Sequence, residues 1–252
     1  MKIYEHILST KKNGQKQFAV LIDPDKTDAS TLEKTIRLSV DAHVDFFLVG
    51  GSLIVNDNMS LVLDTIKQSC DIPCILFPGN TLQINDKADG ILLLSLISGR
   101  NPELLIGNHV LAAPKLKASG LEIISTGYIL IDGGVETSVS YMSNTRPIPS
   151  EKSEIALCTA LAGEMLGMHC IYLDAGSGAI QPISSRTIQQ IRNHISVPLM
   201  VGGGIKTPEA ARSAVEAGAD IIVIGNAIEK DPNIIIDISA SIHAYSERAV
   251  NT

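Results

Sequence analysis

Short apolar runs punctuate the chain at residues 18–22, 45–49, 74–77, 90–95, 122–131, 170–173, 198–201 and 221–224. They are rich in Ile, Leu and Val and mostly lack polar alternation, the pattern of strands buried on both faces. Segments of helical period lie between most of them, at 30–41, 58–70, 102–118, 154–167, 184–193 and 208–217. Eight strands alternating with helices predict a closed parallel sheet with helices outside it, a (β/α)8 TIM barrel. The alternation falters twice. Residues 79–87 are too few and too polar for a crossover helix, so the outer helix near strand three is expected to be missing or reduced. Residues 132–150, rich in Gly, Ser, Asn and Pro, predict a long loop on strand five, at the end where barrels carry function.

Composition narrows the picture. The 252 residues match the usual size of one such barrel, about 250, and no linker or low-complexity tract divides them, so 1–252 is expected to be one domain. With no Trp and only four Phe, the core must be aliphatic. The net charge of −7, without any stripe of Lys and Arg, argues against nucleic-acid binding, so any phosphate must be held locally. No stretch approaches the ~18 uncharged apolar residues of a membrane span. The first 17 residues also lack the apolar centre of a secretory signal. A cytoplasmic protein without a transmembrane segment is therefore expected. Cys70, Cys74, Cys158 and Cys170 form no CxxC pair or zinc-ligand cluster and read as reduced thiols.

Three predicted strand tips carry glycines: Tyr172-Leu173-Asp174-Ala175-Gly176-Ser177-Gly178, Val201-Gly202-Gly203-Gly204-Ile205 and Ile224-Gly225-Asn226-Ala227. Glycine admits positive φ and lets main-chain N–H groups approach an anion, and a following helix N-terminus adds partial positive charge. Tight turns alone would explain one such cluster. Clusters after strands seven and eight, with 227–230 as a short extra helix, match the phosphate site common in these barrels. A side chain at Gly204 or Gly225 is then expected to exclude phosphate by bulk.

Strand one ends in Ile22-Asp23-Pro24-Asp25-Lys26 and strand two in Val49-Gly50-Gly51-Ser52. Asp23 and Ser52 on neighbouring tips could share Mg2+, which takes few protein oxygens and completes its shell with water and phosphate. Asp23 could equally bond the turn backbone or cap the next helix, and these residues alone leave both readings open. Asp174 would repel phosphate unless it served a substrate hydroxyl, so its place favours orienting or deprotonating one. His43, His109, His169, His194 and His243 stand singly in helical or loop contexts, none partnering a Ser or Cys in a recognisable triad, and read as surface or packing residues. An isomerase or lyase of the phosphate-binding barrel type would share the last two glycine loops but would need a Lys or a carboxylate pair for acid–base work. Lys26 and Lys115 are the lysines placed near the rim for that role. A non-catalytic binding barrel fits poorly with an Asp, a Ser and three glycine loops on one rim.

Together, Phe18-Ala19-Val20-Leu21-Ile22-Asp23-Pro24-Asp25-Lys26, Val49-Gly50-Gly51-Ser52, the strand-six motif through Ala179, Val201-Gly202-Gly203-Gly204-Ile205 and Gly225-Asn226-Ala227 resemble the geranylgeranylglyceryl phosphate synthases over nearly the whole chain. The strand-six motif is the most specific part, although its acid, often Glu in that family, is Asp174 here. The resemblance implies transfer of a prenyl group from geranylgeranyl diphosphate to the sn-3 hydroxyl of sn-glycerol 1-phosphate, releasing diphosphate with help from Mg2+. This is the first ether bond of archaeal-type lipids; some relatives use a heptaprenyl donor. It further implies that Asp23 and Ser52 hold Mg2+, that Tyr172, Leu173, Asp174, Ala175, Gly176, Ser177, Gly178, Gly203, Gly204, Gly225 and Asn226 hold the glycerol phosphate, that one outer helix is lost near strand three, and that the chain forms a homo-oligomer.

Overall fold

The structure, a computed structural model, describes residues 2–56 and 58–250, the side chains of 246–250 excepted. Eight strands, β1 Gln17–Ile22, β2 Phe46–Val49, β3 Cys74–Leu76, β4 Gly90–Leu96, β5 Glu122–Leu130, β6 Cys170–Asp174, β7 Leu199–Gly202 and β8 Ile221–Ile224, close into a barrel in sequence order. Every pairing is parallel, including β1 with β8. The helices are α1 Ile3–Lys12, α2 Ala29–Asp41, α3 Met59–Ser69, α4 Asn108–Ser119, α5 Ser138–Ser143, α6 Ser153–Met165, α7 Ser185–Arg192, α8 Pro208–Glu216, α9 Asn226–Lys230 and α10 Ile234–Val250.

The unbroken apolar strands are explained by two cores. Outward-facing Phe18, Val20, Phe47, Leu173 and Val201 join the layer under the helices. The alternate residues Ala19, Phe46, Leu48, Tyr172 and Met200 fill the barrel axis. Period-two alternation is present in space, but both faces are apolar, so the sequence does not display it. Ile3 and Ile7 of α1 join the axial core and plug the lower end. The Glu122 carboxylate holds α1 there, accepting from the first-turn N–H groups of Ile3 and Tyr4 at 2.7 and 2.9 Å. Neither α1 nor α10 is evident from the hydrophobic pattern.

Between β3 and β4 the crossover is a single 3-10 turn, Thr81–Gln83, so an outer helix is indeed absent there. The predicted 132–150 loop contains the short helix α5. A π-helical turn, Glu103–Gly107, precedes α4 where one continuous helix was expected. Local signals set other helix starts. Asp28 accepts from Thr31 N at 2.8 Å before α2, and Thr207 accepts from Ala210 N at 3.2 Å before α8, whose first residue is Pro208.

Candidate active site

Strand register sets the geometry of the upper rim. Ile22 pairs with Val49, Val20 with Ile224, and Asp174 with Gly202, so the tips of β1, β2, β6, β7 and β8 converge on one opening. A cavity of about 150 Å3 with charged and polar side chains in its lining lies there, bounded by Asp23, Ser52, Tyr172, Asp174, Gly176, Ser177, Gly178, Gly203, Gly204, Gly225 and Asn226. Leu173 and Ala175 do not reach it. Both are buried in the outer core, because alternation along β6 turns them away from the barrel axis.

Asp174 is 7% exposed. Its Oδ2 accepts from the Tyr128 hydroxyl at 2.5 Å and its Oδ1 from Gly176 N at 2.8 Å. Burial pushes this carboxyl above its ordinary range, against the lowering effect of both hydrogen bonds. Burial, reinforced by the Asp174 charge, raises the Tyr128 phenol well above its ordinary value, so Tyr128 stays a donor. Phe77, Tyr128 and Tyr172 pack mutually with ring centroids 5.5–5.9 Å apart and floor the opening. The position and type of Tyr128 give no sequence signal of its own; only strand alternation around Asp174 could have found it.

Gly203 has φ of +78°, and a Cβ on it would stand 2.5 Å from Asp174 Oδ1. Gly204 has φ of +71°, but its Cβ would meet the Gln181 carbonyl oxygen at 2.5 Å. The bulk expected to exclude phosphate at Gly204 would therefore strike the neighbouring loop first. Ser177 Oγ donates to Asn226 Oδ1 at 2.8 Å, tying the β6 loop to the start of α9. Lys206, which belongs to no motif in the sequence, also lines this cavity.

On the opposite side, Asp23 Oδ1 accepts from Asp25 N at 3.1 Å, the turn-bonding arrangement, while Oδ2 faces Lys26 Nζ at 3.0 Å. The β2 tip is close: a Cβ on Gly51 would stand 3.1 Å from Asp23 Oδ2. Lys26 also lies 3.8 Å from Glu229 Oε1. Burial pulls the Lys26 ammonium down, but Asp23 and Glu229 outweigh it and its pKa is raised. Burial likewise raises Glu229. Lys115, the other rim candidate, instead donates to the Ile84 carbonyl at 2.7 Å from α4 and does not line this cavity.

One carboxylate and one hydroxyl on adjacent tips are hard oxygen donors and suit Mg2+. Among the described residues no group of three or more His, Cys, Asp or Glu could hold a metal, so a cation here would draw most ligands from water and substrate. The Ser52 loop is fixed by a residue the sequence did not flag. Gln83, 5% exposed, donates through Nε2 to Gly51 O at 2.8 Å, and its Oε1 accepts from Gly79 N at 3.1 Å. Gln83→Ala should lower stability by about 1–3 kcal/mol by leaving these groups unpaired. Thermal unfolding checks this, and an unchanged midpoint would show that water replaces the side chain.

A second cavity, of about 270 Å3, adjoins the first and shares Gly51, Ser52, Phe77, Tyr128 and Val139 with it. Ile84, Ile91, Leu93, Leu104, Ala112 and Leu116 make its walls apolar. Ile91 is near the start of β4 and Leu116 near the end of α4, so this groove descends the barrel flank where the outer helix is reduced to one turn. His109, expected at the surface or in packing, lines it with Nε2 3.1 Å from Ser95 Oγ. Burial lowers its pKa and favours the neutral ring.

Among the described residues no helix is long and apolar enough to cross a membrane. The chain is 52% identical over 243 residues to a geranylgeranylglyceryl phosphate synthase of Chitinophaga pinensis, covering 96% of both chains. It is 50% identical over 240 residues to one of Spirosoma linguale, covering 95% of this chain and 96% of the relative. The crystal structure of (S)-3-O-geranylgeranylglyceryl phosphate synthase from Thermoplasma acidophilum in complex with sn-glycerol-1-phosphate superposes with a TM-score of 0.92 at 33% identity, over 97% of this chain and 99% of that one. The PcrB family pattern matches residues 11–242, and the chain belongs to the PcrB family.

Proposed function

We propose that this protein transfers a geranylgeranyl group from its diphosphate to the sn-3 hydroxyl of sn-glycerol 1-phosphate, forming geranylgeranylglyceryl phosphate and diphosphate. The observation that carries this reading is the junction of two unlike cavities. An apolar groove suited to a prenyl chain opens, at Ser52, Phe77 and Tyr128, into a chamber walled by glycine loops and by the charged side chains of Asp23, Lys26, Asp174 and Lys206. Substrates of opposite character would meet there, with the reacting carbon at the mouth of the groove. An acid–base isomerase or lyase acting on one small sugar phosphate has no use for the groove.

In this reading the glycerol phosphate lies against the β6, β7 and β8 loops, where Gly176, Ser177, Gly178, Gly203, Gly204, Gly225 and Asn226 bring main-chain and side-chain donors to its phosphate. Lys206 adds positive charge on the same wall. Tyr172 floors the site, and Asp174 accepts the hydrogen of the attacking hydroxyl. Asp23 and Ser52 hold Mg2+, whose charge, when bound, offsets that of the diphosphate. The hydroxyl oxygen forms the new bond to C1 of the prenyl chain, the C1–O bond to diphosphate breaks with its electron pair leaving on oxygen, and the proton passes to Asp174. The hydroxyl needs positioning more than strong activation, because an allylic carbon gains cationic character as diphosphate leaves.

Incubating the purified protein with radiolabelled sn-glycerol 1-phosphate and a series of prenyl diphosphates tests the assignment. A lipid-soluble labelled product is expected, fastest with the geranylgeranyl donor. Faster turnover with heptaprenyl diphosphate would reassign the donor, and no product with any donor would reject the prenyltransferase reading.

A further inference from the structure

Lys26 stands between two carboxylates: its Nζ is 3.0 Å from Asp23 Oδ2 and 3.8 Å from Glu229 Oε1. The first belongs to the tip of β1 and the second to α9, across the β1–β8 seam. Glu229 is itself held in place, because Asn226 Nδ2 donates to Glu229 Oε2 at 3.4 Å while Asn226 Oδ1 accepts from Ser177. A chain of contacts thus runs from the glycine loop of β6 to the β1 carboxylate. Glu229 also lines the cavity of the glycine loops, where a carboxylate beside a phosphate site is otherwise unfavourable.

Resting on the reading of Asp23 as a cation ligand, we propose that Glu229 is a positioning residue that draws Lys26 off Asp23 and so frees the Asp23 carboxylate for the cation. An ammonium and a divalent cation compete for the same oxygen. The Lys26 side chain is 46% exposed and has room to swing, and a second carboxylate within reach gives it somewhere to go. Without Glu229, the displaced ammonium would have no counter-charge on the α9 side and would fall back on Asp23. The Ser177–Asn226–Glu229 contacts make this alternative partner depend on the order of the glycerol phosphate loops.

The test follows the binding of geranylgeranyl S-thiolodiphosphate, a donor resistant to turnover, by calorimetry across a Mg2+ titration. Glu229→Gln keeps the size of the side chain and an oxygen for Asn226 but removes the charge that attracts Lys26. It should raise the Mg2+ concentration for half-maximal donor binding about fivefold to tenfold, the lower range of coupling between sites. In a Lys26→Met background, adding Glu229→Gln should then change nothing, since the competitor is gone. An unshifted Glu229→Gln variant would overturn the proposal. So would an equal shift with and without Lys26, which would mean that Glu229 acts directly on the cation. Asp23→Asn separates the two layers: if it leaves the Mg2+ dependence of donor binding as in the wild type, the assignment of Asp23 fails and takes the proposal with it. If Asp23→Asn shifts it and Glu229→Gln does not, only the role of Glu229 falls.

Discussion

Asp23→Asn should remove about 10²-fold or more of turnover at saturating substrates while leaving the barrel folded. The magnitude is that of losing one group aimed at charge developing in a transition state. An amide keeps an oxygen for Asp25 N, the turn-bonding contact made at 3.1 Å, so the β1 tip should hold its shape. It loses the charge that faces Lys26 and that would neutralise a cation on the diphosphate side. The variant should therefore unfold near the wild-type temperature and bind sn-glycerol 1-phosphate with affinity close to normal, because the β6–β8 loops are untouched. Steady-state rates over a Mg2+ titration, with calorimetry for glycerol phosphate, measure each part. Near-wild-type turnover would return Asp23 to a structural role in its turn, the reading its sequence context leaves open.

The barrel was legible because its information is local and repeated. Eight apolar runs each occur where a strand lies, since strands buried on both sides must be apolar at every position. The glycine loops of β6 and β7 were legible for a related reason: backbone at positive φ, packed against Asp174 at Gly203, leaves one residue type. The reduced helix after β3 showed as a polar stretch too short to cross the sheet. What stayed hidden depends on tertiary partners. Helix α1 carries only Ile3, Ile7 and Thr10 as buried residues, and its purpose, closing the barrel floor, exists only once β5 presents Glu122. Gln83 pins a loop 32 residues earlier in the chain. Glu229 meets Lys26 only because β8 closes against β1. The apolar groove leaves no motif, because its wall residues look like any others beneath an amphipathic helix. Its existence follows from the missing crossover helix, which was visible in the sequence while its consequence was not.

Asp174→Asn should reduce turnover about 10²–10⁴-fold, the range for a positioned general base, and its pH behaviour distinguishes that role from a purely structural one. Burial raises this carboxyl above its ordinary value in spite of the bonds from Tyr128 and Gly176. Wild-type kcat/KM should then decline as pH falls through that raised value, an acid limb shifted upward from the usual carboxylate range, and the limb should vanish in the variant. Stability moves in the opposite sense. A carboxyl whose pKa is higher folded than unfolded binds more protons when folded, so its ionisation weakens the fold as pH rises through the window between the two values. Replacing it with a neutral amide, whose oxygen can accept from Gly176 N while its NH2 donates to the Tyr128 hydroxyl oxygen, should leave the unfolding temperature at neutral pH unchanged or higher. Lost catalysis with retained stability and retained donor affinity would place Asp174 on the attacking hydroxyl. If the acid limb persisted in the variant, the titrating group would lie elsewhere. The nature of the transition state can be read from the wild-type protein with two donors. A fluorinated allylic donor, in which positive charge at carbon is disfavoured, should react far more slowly than the parent in single-turnover measurements on the wild type. Equal rates would mean that the carbon–oxygen bond breaks without cationic character, and Asp174 would then have to generate an alkoxide rather than collect a proton late.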